Sequence, residues 1–448
     1  MVWENEGMGK RVFCEKNGEI EGYIFTPSFE FKYGKVTVKD GIIENVEYTE
    51  NDESACDETG CNESACDVFC GSLFFECRGK GNSRRLILPG LVDVHLHGAA
   101  GYDICDASAE SIKKICAYER ENGIAAFLGA TMTLPAHELE KICVAAKEAS
   151  GYGFEGIFLE GPFVNKTKCG AQNPEYAILP DASLVGRLNE ISGGNIRKVL
   201  IAPELDGAAE FVECLKCGLV GKPKDDLNSE ISEESKVDFN ENMIRITLGH
   251  SDADYDIAAE VIKMGANQVT HLYNAMRPFD KRDPGLVGAA FDNDCYTELI
   301  ADGVHVHESV IRSTFKTVSD DKMILVSDST MATGLPDGAA TLGGTPVKVM
   351  TIGNASENVS ENADNAGDVL VNLVESANIV RRRVELSDGT IAGSATNLYD
   401  CMMNAIEMGV PVAKAVRAAT LNPAKSVGID DRYGTIEIGK CGVLAIIE

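Results

Sequence analysis

The chain has 448 residues, of which 44% are hydrophobic and 25% are charged, as in ordinary globular proteins. The formal net charge of −29 disfavours nucleic acid and anionic membranes as partners, because the long-range field of the protein would repel both. The N-terminal region has no secretory apolar segment and the chain has no long apolar run, so we expect a cytoplasmic protein without a membrane span.

Much of the negative charge lies in three segments, 50–68, 222–241 and 352–370, which we interpret as solvated insertions. The first of them overlaps a stretch that holds five of the fifteen cysteines. Their spacing matches no common zinc-ligand pattern, and the CxxC at Cys214 and Cys217 has no second pair nearby. We therefore expect free thiols, with a structural zinc site as the alternative.

The first predicted elements are short antiparallel strands over 11–48, where apolar and polar residues alternate between glycine turns. The C-terminal segment 428–448 has the same character. Both ends of the chain are therefore predicted to form a small β-sandwich domain, residues 1–88 and 426–448, interrupted by a cysteine-rich acidic insertion at about 50–80.

Eight short apolar runs occupy the middle of the chain, and amphipathic segments such as 108–123 and 252–266 separate most of them. This alternation indicates βαβ units and a parallel sheet. Eight runs favour a closed (β/α)8 barrel within a domain of residues 89–425, with a doubly wound open sheet as the alternative. The runs are LVDVHLHG, AAFLGATM, GIFLEGPF, KVLIAPE, IRITLGHS, NQVTHLYN, TELIADGVH and KMILVSDS.

Most of these runs end in a side chain that can bind a metal or move a proton. These residues are His95, His97, Glu160, His250, His271, Asp302 and Asp328. The carboxyl ends of barrel strands converge on one mouth, so residues distant in sequence should meet in one site. Singly, each suits a structural hydrogen bond. A chain with only seven histidines that places four of them at strand ends indicates a metal site instead.

Longer motifs around these residues reveal a family resemblance. In order between residues 86 and 428 they are PGLVDVHLHG, LEGPFVNKTKCGAQNP, LGHSDADY, THLYNAMRPFDKRDPGLVGAA, ADGVHVHES, LVSDSTMATGLPDG, GTIAGSATNL and TLNPAKSVG. The barrel resembles the amidohydrolase superfamily, and the chain as a whole is similar to the N-acetylglucosamine-6-phosphate deacetylase family. HLYNAM and LEGPF distinguish that family, whereas HxH alone marks the superfamily.

The resemblance implies metal-assisted hydrolysis of N-acetylglucosamine 6-phosphate to glucosamine 6-phosphate and acetate. The implied metal ligands are Glu160, His250 and His271 for the main ion and His95 and His97 for a second. One or two divalent ions are thus expected per subunit, with zinc first and iron or another divalent ion as the alternative. Asp328 would be the general base and acid.

The resemblance also implies a homodimer that acts on a small phosphosugar. The implied substrate-binding residues are Ala171, Gln172, Asn274, Ala275, Arg282, Asp302, His305, Ile391, Ala392 and Gly393. Arg282 could reach the phosphate from the neighbouring subunit. His137 and His307 are interpreted as surface residues. Two alternatives stay open: another metal-dependent amidohydrolase, and an inactive amidohydrolase-like scaffold.

Overall fold

The computed structural model describes residues 12–13, 16–49, 85–218, 243–354 and 380–447. The predicted insertions at about 50–80 and at 222–241, and most of the one at 352–370, lie outside these residues. Among the described cysteines, Cys105, Cys116, Cys143, Cys169, Cys217, Cys295 and Cys401 are free thiols.

The described part of the chain opens with the short strand β1 (Val12–Phe13). An antiparallel meander of β2 (Gly18–Phe25), β3 (Phe31–Lys39) and β4 (Ile42–Tyr48) comes next, and β5 (Leu86–Pro89) follows. In β3, Val36 and Val38 are buried, while their neighbours Lys35 and Thr37 are partly exposed. This is the period-two pattern of a strand with one face on a core.

Eight parallel strands then form the barrel, and consecutive strands along the chain are neighbours in the sheet. The strands of this part are β6 (Leu91–Leu96), a hairpin of β7 (Gly98–Ala99) and β8 (Tyr102–Asp103), and then β9 (Ile124–Ala130), β10 (Phe154–Leu159), β11 (Ile196–Ile201), β12 (Arg245–Leu248), β13 (Gln268–Val269), β14 (Tyr296–Ile300) and β15 (Met323–Val326). The barrel strands are β6 and β9 to β15.

The first and last barrel strands meet just beyond their ends. The amide of Asp328 donates to the carbonyl of His95 at 3.0 Å, and the amide of His97 donates to the carbonyl of Ser329 at 2.8 Å. Leu96 and Ser329 form a parallel bridge between these two bonds. The predicted barrel is therefore confirmed, and the doubly wound open sheet is excluded.

Helices follow the barrel strands. They are α1 (Ala109–Glu121), α2 (Ala136–Ala149), α3 (Ala182–Ile191), α4 (Ala208–Lys216), α5 (Tyr255–Met264), α6 (Gly285–Asp292), α7 (Glu308–Thr317), α8 (Leu398–Glu407), α9 (Val412–Ala419) and α10 (Leu421–Val427). The helices predicted over 108–123 and 252–266 correspond to α1 and α5. In the described ranges, no helix is both long and apolar enough to cross a membrane.

Side chains fill the barrel interior. One buried cluster contains Leu128, Phe158, Leu200, Ile300 and Ile324, together with Ala424 and Val427 of α10. The opposite faces of the strands join the helices in a second and larger cluster. Because apolar side chains occupy the interior, the barrel is a solid support for its mouth rather than a channel.

A four-stranded antiparallel sheet that the sequence did not predict lies between β15 and α8. Its strands are β16 (Gly338–Leu342), β17 (Thr345–Asn354), β18 (Val380–Glu385) and β19 (Ile391–Ser394). Its last strand returns to the barrel, because the amide of Ser394 donates to the carbonyl of Asp328 at 2.7 Å. The inserted sheet therefore contacts the backbone that follows β15.

The last strand, β20 (Leu444–Ile447), returns to the beginning of the chain. It completes a six-stranded sheet in the order β1-β20-β5-β2-β3-β4, so both ends of the chain build this sheet, as predicted. Its buried face is apolar and includes Ile24, Val36 and Ile446, and Ile436 from the preceding loop joins the same cluster.

Replacing Ile324 with alanine should lower the stability of the barrel by about 2–5 kcal/mol, because it empties space inside a closed cluster. Ile324 is fully buried, whereas Ile438 is 67% exposed. Ile438→Ala makes the same chemical change at the surface and is the matched control. Thermal unfolding of both variants measures the effect, and equal melting temperatures would show that the interior is not tightly packed at β15.

Candidate metal centre and active site

The candidate site lies at the carboxyl ends of the barrel strands. His95 is the last but one residue of β6, and Glu160 directly follows β10. His250, His271 and Asp328 each lie two residues beyond the end of a strand, namely β12, β13 and β15. These residues, and His97, are at most 8% exposed. The barrel thus brings together the side chains that the sequence predicted to meet.

The carboxylate of Glu160 is the centre of the cluster. Its Oε1 atom lies 3.0 Å from Nε2 of both His250 and His271. Its Oε2 atom lies 2.9 Å from Nε2 of His97 and 3.5 Å from Nε2 of His95. Each carboxylate oxygen therefore faces its own pair of imidazoles.

Asp328 lies beside one of these pairs. Its Oδ1 atom is 3.5 Å from Nε2 of His95 and 3.4 Å from Nε2 of His97. Burial disfavours its charge, but the imidazoles of His95 and His97 outweigh that effect and lower the pKa of Asp328. Asp328 is therefore held as a carboxylate that can accept a proton.

The buried groups of the cluster shift one another's pKa values. Burial disfavours the charge of Glu160, but His95, His250 and His271 hold the pKa of this carboxyl well below its usual range. Burial would also lower the pKa of His95, yet the carboxylates of Glu160 and Asp328 raise it to about 9. His271 shows the opposite balance, since burial lowers its pKa. Perturbed groups gathered in this way are typical of functional sites.

The local backbone is unusual at three of these residues. His250, His271 and Asp328 have positive φ angles of 46°, 29° and 49°. Such conformations cost about 1–3 kcal/mol each in residues other than glycine and persist where the surroundings enforce them. Beside them, a Cβ atom on Gly161 would lie 2.1 Å from Oγ1 of Thr133, so only glycine fits after Glu160.

Neighbouring groups fix the orientation of two ligands. Nδ1 of His250 lies 2.9 Å from the carbonyl of Lys168, which leaves its Nε2 atom for Glu160. The amide of Gln172 donates to Oε2 of Glu160 at 3.0 Å, and its oxygen accepts from the amide of Thr133 at 2.6 Å. Gln172, expected to contact substrate, is 5% exposed and its side chain holds Glu160.

Asp302, which the resemblance assigns to substrate binding, has close polar partners within the protein. It is fully buried, and its Oδ2 atom lies 2.7 Å from Nδ1 of His305. Its Oδ1 atom accepts from the amides of Val304 and His305 at 2.9 Å. Burial alone would lower the pKa of His305, but Asp302 raises it. Asp302 thus orients His305 and favours its charged form.

Three further residues expected to bind substrate, Asn274, Ala275 and Arg282, follow β13 and differ in exposure. Asn274 is half-buried and donates to the carbonyl of His271 at 3.2 Å, and Ala275 accepts from the amide of Ser251 at 3.1 Å. Arg282 is exposed, in a loop where its amide donates to Asp280 at 2.8 Å. Within the described residues, the guanidinium of Arg282 makes no contact with Glu160, Asp328 or the four histidines.

The inserted sheet supplies the remaining predicted positions. Ile391, Ala392 and Gly393 belong to β19, and a Cβ atom on Gly393 would lie 3.1 Å from the carbonyl of Asp328. Ala171 packs against the apolar cluster beneath this sheet. Elsewhere, His137 and His307 are exposed, as predicted.

Sequence reasoning missed a second layer of polar residues inside the barrel. Lys198, Thr270 and Glu298 are fully buried and connect to Nδ1 of His95. Asp93, also fully buried, accepts from the amide of His95 at 3.2 Å. The available signal was a charged residue within an otherwise apolar strand run, as at Lys198 and Glu298.

The donor set fits a divalent cation. Two groups can each hold a metal ion, namely His95, His97 and Glu160, and Glu160, His250 and His271. Nε2 of His250 and Nε2 of His271 are only 3.1 Å apart and face the same oxygen. The buried Nε2 atom of His95 forms no hydrogen bond within the described residues. Convergent imidazoles around a carboxylate are ligands that zinc and iron accept.

Comparison with known proteins agrees with this geometry. The model of the amidohydrolase family matches residues 86–448. An N-acetylglucosamine-6-phosphate deacetylase of Bacillus subtilis (strain 168) is 32% identical over 372 residues, which cover 81% of this chain and 80% of that protein. The chain therefore belongs to the amidohydrolase family.

Within the family, the similarity is to hexosamine-phosphate deacetylases. Besides the Bacillus subtilis enzyme, an N-acetylgalactosamine-6-phosphate deacetylase of Escherichia coli O157:H7 is 28% identical over 362 residues, 79% of this chain and 81% of that protein. An N-acetyl-D-glucosamine-6-phosphate deacetylase structure from Mycobacterium smegmatis aligns with a TM-score of 0.73 at 23% identity, covering 97% of this chain and 96% of that one. Because the Mycobacterium smegmatis structure is only 23% identical in sequence, this comparison establishes a shared fold and nothing further.

Replacing His271 with alanine should remove about one metal ion per chain, because Glu160 and His250 alone leave the main position with two donors. Metal content after dialysis, measured by mass spectrometry, checks this. Replacing both His95 and His97 should instead remove the second ion and spare the first. His137→Ala, at an exposed histidine, is the control. A full metal complement in His271→Ala would contradict the assignment.

Proposed function

We propose that the protein hydrolyses N-acetyl-D-glucosamine 6-phosphate to D-glucosamine 6-phosphate and acetate. The observation that carries this proposal is a single buried carboxylate, Glu160, faced by four imidazoles and adjacent to one further carboxylate, Asp328. Amide hydrolysis needs an activated water, a polarised carbonyl and a proton for the departing amine, and this set of groups can provide all three. The similarity to deacetylases over four-fifths of the chain selects the substrate class.

Glu160, His250 and His271 would hold the main divalent cation, and His95 and His97 would hold a second beside the same carboxylate. Zinc is the expected metal, with iron as the alternative, because both accept imidazole and carboxylate ligands. A bound divalent cation lowers the pKa of water and polarises a carbonyl oxygen.

Asp328 moves the proton. In this proposal its carboxylate removes a proton from the attacking water and later delivers it to the amide nitrogen, so that the C–N bond breaks with an amine as the leaving group. His95 and His97 hold Oδ1 of Asp328 from one side. The backbone bonds of Asp328 to His95 and Ser394 fix its main chain from both sides.

The phosphate end is assigned to the loops after β13 and β14. Asn274 and Ala275 would offer polar and backbone groups, and His305, whose pKa Asp302 raises, would offer its imidazole. Arg282 would reach the phosphate from the neighbouring subunit of a homodimer, which agrees with its exposure in its own chain. Ala171, Gln172 and the strand β19 would line the sugar.

We further place the protein in the cytoplasm, where a phosphorylated sugar is available, and treat the terminal six-stranded sheet as a small domain separate from the barrel. The Escherichia coli relative makes N-acetylgalactosamine 6-phosphate a second candidate substrate. The two sugars are epimers, so the ratio of kcat/KM for the two distinguishes the candidates in one assay of acetate release.

Replacing Asp328 with asparagine should lower turnover by about 10²–10⁴-fold, since an amide cannot carry the proton. Acetate release from both phosphorylated epimers, with metal content measured in parallel, checks this. Asp294→Asn changes an aspartate that is 80% exposed and serves as the control. Turnover of Asp328→Asn within about tenfold of the parent, with metal retained, would remove Asp328 from the proton-transfer step.

Replacing Arg282 with alanine should raise KM for the phosphorylated sugar far more than for N-acetylglucosamine, because a guanidinium binds phosphate in a bidentate manner. Lys281→Ala, one residue away in the same exposed loop, controls for a general loss of positive charge. An equal rise in KM for both sugars would place Arg282 outside the phosphate site.

The same variant tests the contribution of the neighbouring subunit. A mixture of Arg282→Ala and Asp328→Asn chains should form heterodimers with one site that contains both an intact Asp328 and an intact Arg282. Activity should then return in part at low substrate concentration. Absence of recovery in confirmed heterodimers would place Arg282 at the site of its own chain.

A further inference from the structure

A buried ion pair lies in the barrel below the metal centre, and the mechanism above does not use it. Nζ of Lys198, on β11, lies 2.5 Å from Oε1 of Glu298, on β14, and both side chains are fully buried. Moving two charges out of water is costly even when they pair, so an ion pair in an apolar interior needs a reason beyond stability. Glu298 of this pair lies next to His95, so the pair can act on the orientation of that imidazole.

The hydrogen bonds around Glu298 determine which nitrogen carries the proton in the neutral, metal-binding form of His95. With Lys198 as counter-ion, the Glu298 carboxylate accepts hydrogen bonds and donates none. The hydroxyl of Thr270 lies 2.6 Å from Oε2 of Glu298, so its single proton is donated there. Nδ1 of His95 lies 2.9 Å from that hydroxyl oxygen and 3.4 Å from Oε2 of Glu298. Both neighbours accept at this position, and Nδ1 must therefore be the donor.

The other nitrogen of His95 is then the one that can bind a cation. Nε2 faces Glu160 and Asp328 at 3.5 Å and forms no hydrogen bond in the described residues. Histidines that bind metals usually donate their second N–H to a carboxylate or a carbonyl, which fixes the tautomer and the ring orientation. Thr270 and Glu298 provide such an acceptor for His95.

Packing holds the same ring in place. The edge-to-face contact between His95 and Phe158 has a centroid distance of 4.8 Å, and Nζ of Lys198 lies 3.8 Å from the centroid of Phe158. Lys198 therefore contacts both the carboxylate that His95 donates to and the aromatic ring that His95 packs against. One ammonium group stabilises both contacts of the imidazole.

We propose that Lys198, Glu298 and Thr270 form a positioning assembly that presents Nε2 of His95 to the second cation position. This inference rests on the proposed function only in taking His95 as a ligand of that cation. The three residues contact neither substrate nor cation, and they act through the orientation of one imidazole. Loss of the assembly should weaken the second ion and leave the main ion, held by Glu160, His250 and His271, unchanged.

The test removes both charges together. In Lys198→Met/Glu298→Leu no unpaired charge stays in the barrel, and such replacements of buried ion pairs are often neutral or stabilising. A purely structural pair would therefore leave metal binding unaltered. Thr270→Val, which removes one hydroxyl at nearly constant shape, is the second variant. The readouts are zinc equivalents after dialysis, zinc dissociation constants by competition with a chelator, and melting temperature.

The double variant should weaken the second zinc ion by about 10- to 100-fold while the first keeps the affinity of the parent. Thr270→Val should weaken the second ion less, because Glu298 stays 3.4 Å from Nδ1 of His95. Glu119→Gln is the matched control. It alters a buried carboxyl on α1 whose oxygens have no hydrogen-bond partner in the described residues.

Two results would overturn the inference. The first is a double variant that folds and keeps both zinc ions at the affinities of the parent. The second is a parent protein that binds a single ion, since no second ion would then depend on His95. Acetate release by the parent tests the proposed function separately, because a parent without deacetylase activity can still lose its second zinc ion in the double variant.

Discussion

Everything at the mouth of this barrel depends on how one buried carboxylate is compensated. Taking an ion such as Glu160 out of water costs several kcal/mol unless partners replace the lost hydration. Here the partners are four imidazoles that come from the ends of three different strands, two for each oxygen. The carboxylate can be buried only when those strand ends converge, so the closed barrel and the centre require each other.

This constraint explains the strained backbone around the site. His250, His271 and Asp328 adopt left-handed conformations that ordinary residues avoid. Each of them lies two residues beyond the end of a strand, and its side chain reaches the cluster around Glu160. The apolar interior and the helix layer hold the strands firmly enough to sustain three such residues at one end of the barrel.

The sequence predicted those features that depend on short-range patterns. Apolar runs separated by amphipathic segments indicated the barrel, and histidines at strand ends indicated a metal site. These inferences succeed because strand direction alone determines which end of a parallel barrel a residue occupies. The pairing of Glu160 with four imidazoles follows from the same rule.

Other features depend on contacts between distant segments and could not be found in this way. In the inserted sheet, β17 pairs with β18 across 355–379, a range outside the described residues. The burial of Asp302 under His305 depends on a tight loop after β14, which a strand pattern does not specify. Lys198 and Glu298 are 100 residues apart, and a charged residue in an apolar run does not identify its partner.

The seam of the barrel and the proton carrier share the same stretch of backbone. Asp328 donates to the carbonyl of His95 across the junction of the first and last strands, and Ser394 of the inserted sheet donates to Asp328 from the other side. A slight parting of this junction would move Asp328 away from His95 and His97 while every helix stayed in place. Heat or mild denaturant should therefore inactivate the protein before its circular dichroism changes. Loss of turnover should therefore report an opening of the barrel junction earlier than circular dichroism does.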